Sequence, residues 1–593
     1  MCGIFGYVGH RKDAACIVLE GLKSLEYRGY DSWGIAVLPE SGKSDGKIIV
    51  RKKTGKIGDA TADELPAGSI AFGHTRWATH GGVTQANAHP HLDCTGKLAL
   101  IHNGILENYH EIKPGLKKGG HRFISDTDTE TFVHMVEEYS RNRLVSKAMQ
   151  RAFNEVTGLN AFIILAARDK RLIAARNGSP LVVGYGDNEN FIASDASALL
   201  PYTRQVHFLE ENQMAIVSGA GIMIFDAKTG DLVEPHKQVL TWSIDQTVKG
   251  KYPYFMLKEI HEQPGVLAAI AADYTSQAEK LAATIDRSYG TYMVGCGTAA
   301  YACMAGSYLF SKIAKRHVNW AIGSEFTYQA EFLTPKSLVI ALSQSGETMD
   351  TLEAVRKAKE KGASIYAVVN ALGSSLYRYA DHKMLIGAGP EKGVASTKAF
   401  TGKLAHLIMV AYAMEGSVKN GQKVVTAAAK SSQKVLTESS VRQLKELALK
   451  FRNVRHMYVI GRGLSYPASL ETALKIKEIS YIHAEGLAAG ELKHGPLALV
   501  EKGTACIAFL PNDETYGANL AGAMEMKARG GYIIGASYKP HEIFDTYVHI
   551  PDAGEGTIIP NVIFGQMLAY ELAVIRGLDP DKPRNLAKSV TVK

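Results

Sequence analysis

The 593-residue sequence has no pair of cysteines in a CxxC spacing. Its six cysteines, at positions 2, 16, 94, 296, 303 and 506, are scattered, which argues against a disulfide framework or a zinc site and for a reducing cytoplasm. No uninterrupted apolar run approaches the roughly 18 residues of a membrane span, and the N-terminus lacks a basic-then-apolar signal pattern. A cytoplasmic chain without membrane association is therefore expected. No Lys/Arg block with interleaved aromatics occurs, because the 67 basic residues are spread along the chain, so nucleic acid is not an expected partner. The formal charge of +8 is compatible with a solvated surface or an anionic small substrate. The GxxxxGK[ST] loop is missing, and no metal or cofactor motif stands in its place.

What is present is an ordinary globular composition, 46% hydrophobic and 21% charged, in a chain long enough for about three or four domains. Up to about residue 235 the pattern is short alternating strands with two helical stretches, 13–25 and 128–140, which predicts antiparallel sheets with helices packed on them. Residues 236–258 are polar and aperiodic and read as a linker. Beyond 259 the pattern becomes strand–turn–helix, and it occurs twice. "TYMVGCGTAAYACMAGSYLFSKI" (291–313) lines up with "MYVIGRGLSYPASLETALKIKEI" (457–479), and a later helix–Gly–strand unit repeats at nearly the same separation. Two sibling doubly wound α/β domains follow, 259–433 and 434–577, with an irregular tail at 578–593.

Several stretches carry chemistry. If Met1 is trimmed, Cys2 combines a thiol with a free α-amine, whose ordinary pKa near 8 suits a base. "HTRWATHGGVTQANAHPH" (74–91), "LIHNGILENY" (100–109) and "SDTDTE" (125–130) gather polar residues behind strands and at a helix start. A thiol attacking an amide needs an oxyanion hole, which the Asn103 side-chain N–H and the Gly104 backbone N–H can build. Arg76 and Asp128 offer the cation and anion that an amino-acid substrate requires. In the sibling domains, "SLVIALSQSGETMD" (337–350) sets small hydroxyl residues and a glycine between strand and helix, a phosphate cradle of helix-start N–H groups. Thr348 in that loop is equally a helix-capping residue. Glu478 and His494 form an acid–base pair of the kind that sugar isomerisation needs, and Lys588 in the tail could form an imine. Glu471 and Lys475 read either as charges supporting Glu478 or as a solvated i,i+4 pair.

In combination, "CGIFGYVG", "LEYRGYDS", "HTRWATHG", "NAHPH", "IHNGILEN" and "TDTE" resemble the glutamine amidotransferase domain of the N-terminal-nucleophile class. That resemblance implies a layered αββα domain over 2–235, with Cys2 as nucleophile and Asn103 and Gly104 as oxyanion hole. It implies that Arg76, Thr79, His80 and Asp128 hold glutamine and that Trp77 gates ammonia transfer. "CGT", "SQSGET", "GVASTKAF", "KEISYIHAE", "GELKHGPLAL" and "PRNLAKSVTV" are similar to the paired sugar-isomerase (SIS) domains of the glucosamine-6-phosphate synthase family, in the right order over the whole chain.

The implied activity is transfer of glutamine nitrogen to fructose 6-phosphate with isomerisation to glucosamine 6-phosphate, the first committed step of hexosamine synthesis, with ammonia channelled between the two sites. On the same resemblance Lys588 forms the Schiff base, Glu478 shuttles the proton and His494 opens the ring from the neighbouring subunit of a homodimer. Thr298, Ser343, Gln344, Ser345, Thr348, Val394, Ser396 and Ala587 would bind the sugar phosphate, and the tail would be a lid rather than a disordered end. No metal and no cofactor are implied.

Three positions depart from the family pattern: Trp33 where a small residue is usual, Val83 where proline is common, and Ala299 where serine normally follows "CGT". Two other readings stay open. One is a glutaminase-linked enzyme for another phosphosugar, which the phosphate and sugar cradle would discriminate. The other is a non-catalytic sugar-phosphate sensor, against which the intact Cys2, Glu478, His494 and Lys588 argue.

Overall fold

The computed structural model describes residues 2–40, 46–78, 80–240, 242 and 244–590. The chain divides into two compact units between Thr247 and Val248, the second running to Lys588.

In the first unit an eight-stranded and a seven-stranded antiparallel sheet are each covered by helix on one face. Strand alternation explains the layering. Along Gly3–Gly9, Phe5 and Tyr7 point into a core shared with helix Ala14–Leu25, whereas Ile4 and Val8 point into the core between the sheets. In the second sheet Ala99 and Ile101 face inward, while Leu100 packs with Phe132 and Val136 of helix Thr129–Ser140 and Met149 of Val145–Glu155. The result is a four-layer αββα sandwich. Because both faces of these strands are covered, they read as nearly continuous apolar runs.

The structure adds two helices to the pair that stood out in the sequence. Tyr109–Lys118 contains Pro114 and Gly115, which mask its propensity. Val145–Glu155 is a short amphipathic helix set among strand signals. Within 236–258, Gln238–Val239 pairs with Gln205–Phe208 at the edge of the eight-stranded sheet, and a long helix begins at Phe255. Of the departures, Trp33 is buried in the helix-side core with the Arg51 guanidinium 5.7 Å from its ring centre, and Val83 is exposed.

The second unit holds two five-stranded parallel sheets of identical order. Thr291–Gly295 lies between Asn319–Ile322 and Leu338–Ser343, with Ser364–Val369 and His382–Leu385 beyond. Its sibling sets His456–Gly461 between His483–Ala488 and Ala505–Leu510, followed by Tyr532–Ser537 and Thr546–His549. One apolar core runs through both halves. Among the described residues one helix, Gly554–Ile575, is long and apolar enough to cross a membrane, but its most apolar 18-residue stretch is 89% buried inside the protein. A helix apolar on every side is what a central core position requires.

Candidate functional site

Cys2 precedes Gly3–Gly9, which lies between Ile70–Arg76 and Glu189–Ala193, antiparallel to both. The register pairs Gly3 with Thr75, so the chain leaving that neighbour passes beside Cys2. Trp77 N–H donates to Cys2 Sγ at 3.2 Å. The Ser194 hydroxyl accepts from Ile4 N–H at 2.9 Å and reaches the Cys2 carbonyl at 3.5 Å.

Asn103 ends the strand Leu98–Asn103 in the second sheet, and its Nδ2–H donates to the Cys2 carbonyl at 3.0 Å. Its orientation is set by His74, whose Nε2 lies 3.0 Å from both Asn103 Oδ1 and the His102 carbonyl. A carbonyl can only accept, so Nε2 carries the proton. Burial lowers the His74 pKa to about 3, which keeps the ring a neutral donor. Asn103 therefore presents its amide N–H groups, not its oxygen, toward Cys2. At Gly104, φ is +132° and a Cβ would lie 2.3 Å from the Leu159 carbonyl, so only glycine fits.

Asp128 occupies the cap position of Thr129–Ser140 without capping it by side chain. Its Oδ2 instead accepts from Leu106 N–H at 2.7 Å, holding the turn that follows Asn103 and Gly104. Arg76 is buried and donates to the carbonyls of His80, Gly81 and Gly82. Burial lowers its pKa, and the neighbouring Cys2, Asp128 and Asp31 oppose that. The Arg76 donors thus hold the 80–82 loop in this structure. The His80 ring stands edge-on to Tyr109 at 6.3 Å, and Thr79 lies outside the described residues.

Gly29, Asp31 and Glu130, within the same motifs, brace the site. Asp31 Oδ2 accepts from Ala78 N–H at 2.8 Å, and a Cβ on Gly29 would lie 2.7 Å from Trp77 N. Glu130 accepts from Ile124 N–H, Ser125 N–H and Ser125 Oγ–H, each at 2.7 Å. Burial pushes its carboxyl up, but His134 and these donors prevail and hold it near 2.

In the second unit the parallel neighbours Thr291–Gly295 and Leu338–Ser343 feed helices Thr298–Lys312 and Met349–Glu360, and they lie where the strand order reverses, the position at which doubly wound sheets place a ligand. Gly346, at φ +65°, donates its N–H to Ser343 Oγ at 3.0 Å, and a Cβ there would collide with Ser374 Oγ at 2.1 Å. Thr348 sits at the helix cap position, but its hydroxyl turns to Ser343 Oγ at 3.3 Å and makes no cap bond. Ser345 Oγ accepts from Glu347 N–H at 3.2 Å, and the Gln344 carbonyl from Asn370 N–H at 3.1 Å. This leaves the start of the helix without side-chain capping, the arrangement that suits a phosphate.

Glu471, Lys475 and Glu478 lie along one face of helix Ser465–Ser480. They are not a solvated pair: Glu471 and Lys475 are fully buried and Glu478 is about one-fifth exposed at its side chain. Lys475 Nζ reaches Glu478, Glu471 at 3.4 Å and Thr298 Oγ1 at 3.1 Å. Burial lifts the Glu471 pKa to about 7 despite Lys475. Burial would lower Lys475, yet two carboxylates hold it above the usual lysine range.

The raised carboxyl has a stability consequence. Its contribution is fully present below the unfolded value near 4.5 and is lost as pH rises through about 7. Glu471→Gln cannot ionise, so relative to wild type it should gain thermal stability between pH 5 and pH 8, by up to about 3 kcal/mol. Melting curves at both pH values check this; an unchanged difference would refute it.

The tail is tied down at three points. Asp581 accepts from Phe255 and Met256 N–H at 2.8 Å, at the start of a helix, and its carbonyl accepts from Val394 N–H at 3.1 Å. Arg584 N–H donates to Tyr481 Oη at 2.7 Å, with its guanidinium 4.2 Å from that ring's centre. Lys588 Nζ donates to Glu391 Oε2 at 2.7 Å and to the Gly393 carbonyl at 2.6 Å. Ala587, half-buried, precedes it. Glu391 was not singled out in the sequence, although "EKGVASTKAF" contains it. It is buried and also accepts from Ser396 Oγ–H at 3.1 Å and Thr397 N–H at 2.8 Å. Burial raises its carboxyl, but Lys588 and these donors outweigh that and hold it near 2.

His494 is not gathered in. It ends the short turn Ala489–His494, is exposed, and takes no part in the hydrogen bonds joining Thr298, Glu471, Lys475 and Glu478 or those joining Lys588 to Glu391.

A glutamine amidotransferase domain model matches residues 49–219, and a SIS domain model matches 288–413 and 450–576. The glutamine–fructose-6-phosphate aminotransferase [isomerizing] of Pyrococcus horikoshii is 42% identical over 614 residues, covering 100% of both chains. An enzyme of that name from Thermus thermophilus is 41% identical over 620 residues, again over 100% of both. The solved C-terminal domain of glucosamine-fructose-6-phosphate aminotransferase from Francisella tularensis is 34% identical. It superposes with a TM-score of 0.52, covering 57% of this chain and 100% of that one.

Proposed function

We infer that this chain, which belongs to the family of isomerising glutamine–fructose-6-phosphate aminotransferases, joins a glutaminase half-reaction at Cys2 to a sugar-phosphate isomerase half-reaction closed by its own tail. It transfers the amide nitrogen of glutamine to fructose 6-phosphate and isomerises the product to glucosamine 6-phosphate, releasing glutamate. The full-length likeness to enzymes of that name carries the reading. We assign the glutaminase to 2–235, the linker to 236–258, the two SIS domains to 259–433 and 434–577, and the catalytic tail to 578–593.

In the first half-reaction the Cys2 thiolate attacks the side-chain carboxamide carbon of glutamine. The α-amine freed by loss of Met1 takes the thiol proton and returns it to the departing nitrogen, which leaves as ammonia. Asn103, aimed by His74, and Gly104 donate to the tetrahedral oxyanion. Water then cleaves the γ-glutamyl thioester to glutamate. Arg76 and Asp128 hold the substrate's α-carboxylate and α-ammonium, with Thr79 and His80 beside them, and Trp77 guards ammonia transfer.

In the second half-reaction the phosphate lies over Ser343, Gln344, Ser345, Thr348 and Thr298, with Val394, Ser396 and Ala587 against the sugar. His494 assists ring opening. Its exposed position outside the network supports action on the neighbouring subunit's site in a homodimer. The Lys588 amine forms an imine at C2 with loss of water, and ammonia displaces the lysine. Glu478 removes the proton from C1 and a proton returns at C2, which moves the carbonyl to C1. Lys475, in contact with Glu478, orients it. A cytoplasmic location fits glutamine and sugar phosphates as substrates.

The test is one assay of two products. Glutamine and fructose 6-phosphate should yield glutamate and glucosamine 6-phosphate in equal amounts. Glutamate without amino sugar would instead favour another phosphosugar acceptor.

Ala299 supplies a graded prediction. It follows Thr298 at the helix start and is buried, and alanine cannot donate to a phosphate. A hydrogen bond to a charged group is worth roughly 1.5–3 kcal/mol. Ala299→Ser should therefore lower KM for fructose 6-phosphate by about threefold to a hundredfold, with glutaminase activity unchanged. An unchanged or raised KM would show that the phosphate does not lie over this position.

A further inference from the structure

Four side chains in the first unit converge although no motif links them. Cys94 follows the strand His91–Leu92, His121 lies between two helices, and His134 and Glu137 share one face of Thr129–Ser140 at i,i+3. Their ligand atoms all lie within 4.8 Å of one another. Cys94 Sγ is 3.8 Å from His121 Nδ1 and 3.7 Å from His134 Nδ1. Glu137 Oε2 is 2.9 Å from His121 Nδ1 and 2.8 Å from His134 Nδ1. We propose that Cys94, His121, His134 and Glu137 form a tetrahedral site for a zinc-class divalent ion.

The donor set is chemically apt. One thiolate, two imidazoles and one carboxylate suit Zn²⁺, whose bonds of about 2.0–2.3 Å place ligand atoms roughly 3.3–3.8 Å apart in a tetrahedron. The sulfur–nitrogen distances already match those edges. The two nitrogen–oxygen pairs, held here as hydrogen bonds, would open by about 0.5 Å to admit the ion. Both rings use Nδ1, which leaves Nε2 for an outer partner. His121 Nε2 faces Glu138 Oε2 at 3.0 Å, and His134 Nε2 faces Glu130 Oε1 at 3.8 Å. The hydrogen-bonded carboxylate behind His121 fixes its tautomer and raises its basicity, and Glu130 stands near enough to His134 to favour the same arrangement. Arg122 N–H donates to Cys94 Sγ at 3.4 Å, and Cys94 N–H to Glu137 Oε2 at 3.2 Å, so the backbone also shapes the site.

Four protein ligands leave no open position, so the ion is structural and not catalytic. It would tie the 94 turn and the 121 segment to the helix whose first residues follow Asp128 and include Glu130, stiffening one wall of the glutamine site. Both histidines are buried and Cys94 is exposed, which gives the metal an entry path. Binding releases the thiol proton.

The test uses the full-length protein stripped with a chelator and then reloaded. Elemental analysis after desalting should find one zinc per chain. Cobalt should give the visible bands of a four-coordinate ion and a sulfur-to-cobalt charge-transfer band. Cys94→Ala, at an exposed position, should stay folded, lose the charge-transfer band and bind zinc at least tenfold more weakly. It should also lose the rise in melting temperature that zinc produces in wild type. Glu137→Gln should weaken zinc binding but keep the charge-transfer band. Substoichiometric zinc in wild type, or a cobalt spectrum that Cys94→Ala leaves unchanged, would overturn the proposal.

Discussion

Cys2→Ala is expected to abolish glutamine-dependent formation of glucosamine 6-phosphate while leaving slow isomerisation of fructose 6-phosphate to glucose 6-phosphate. The sulfur is the only protein atom in the proposed glutaminase mechanism that bonds to substrate carbon, and losing a covalent nucleophile costs many orders of magnitude; at least about a thousandfold is expected here. The groups proposed to act on the sugar proton, Glu478 with Lys475 beside it, belong to a separate compact unit with its own core. They need neither the thiol nor ammonia to shift a proton between C1 and C2. Product assays on wild type and variant, with and without glutamine, decide the matter. Parallel loss of both activities would count against two independent sites, and continued glutamate release by Cys2→Ala would remove the thiol from its role.

The tail prediction is as large. Lys588→Ala, or deletion of 584–593, should eliminate amino-sugar formation. The alanine variant has a complication, because Glu391 is buried and would lose its cation, a change that can cost about 3–5 kcal/mol. Lys588→Arg separates the two effects: a guanidinium keeps the ion pair but forms no imine with a ketose. It should melt near wild type and still make no glucosamine 6-phosphate. Borohydride added with fructose 6-phosphate should deliver hydride to the imine carbon and leave the sugar bound to a peptide containing Lys588. Labelling of a different lysine, with Lys588→Arg active, would sink the assignment.

These two experiments rest on residues that stood out in the sequence for local reasons. Cys2 is marked by its place behind Met1 and before an apolar strand, and Asn103-Gly104 by its place after one. The duplication showed because each half repeats a strand, a glycine turn and a helix, a pattern carried by neighbouring residues. Thr348 shows the limit of such reading. Its position predicts a capping hydroxyl, and the hydroxyl turns instead to Ser343, leaving the helix start open.

Local periodicity was thus enough to indicate the two kinds of sheet and the doubling of the α/β half, while position and local composition pointed to the candidates for nucleophile, cradle and imine. It placed Glu471, Lys475 and Glu478 on one helix face, because helical spacing is a property of the segment alone. Tertiary structure decided that this face is buried against Thr298, and burial turns an i,i+4 pair into a charge network with a carboxyl held near pH 7. It decided that His74, in one sheet, aims Asn103, in the other, and that Glu391 receives the tail lysine. It also brought Cys94, His121, His134 and Glu137 together, where scattered cysteines had argued against zinc. The physical reason is common to all of these. Spacing along the chain sets which way a side chain points, but its charge, tautomer and partners depend on the segments that exclude water around it, and those arrive from far away in sequence.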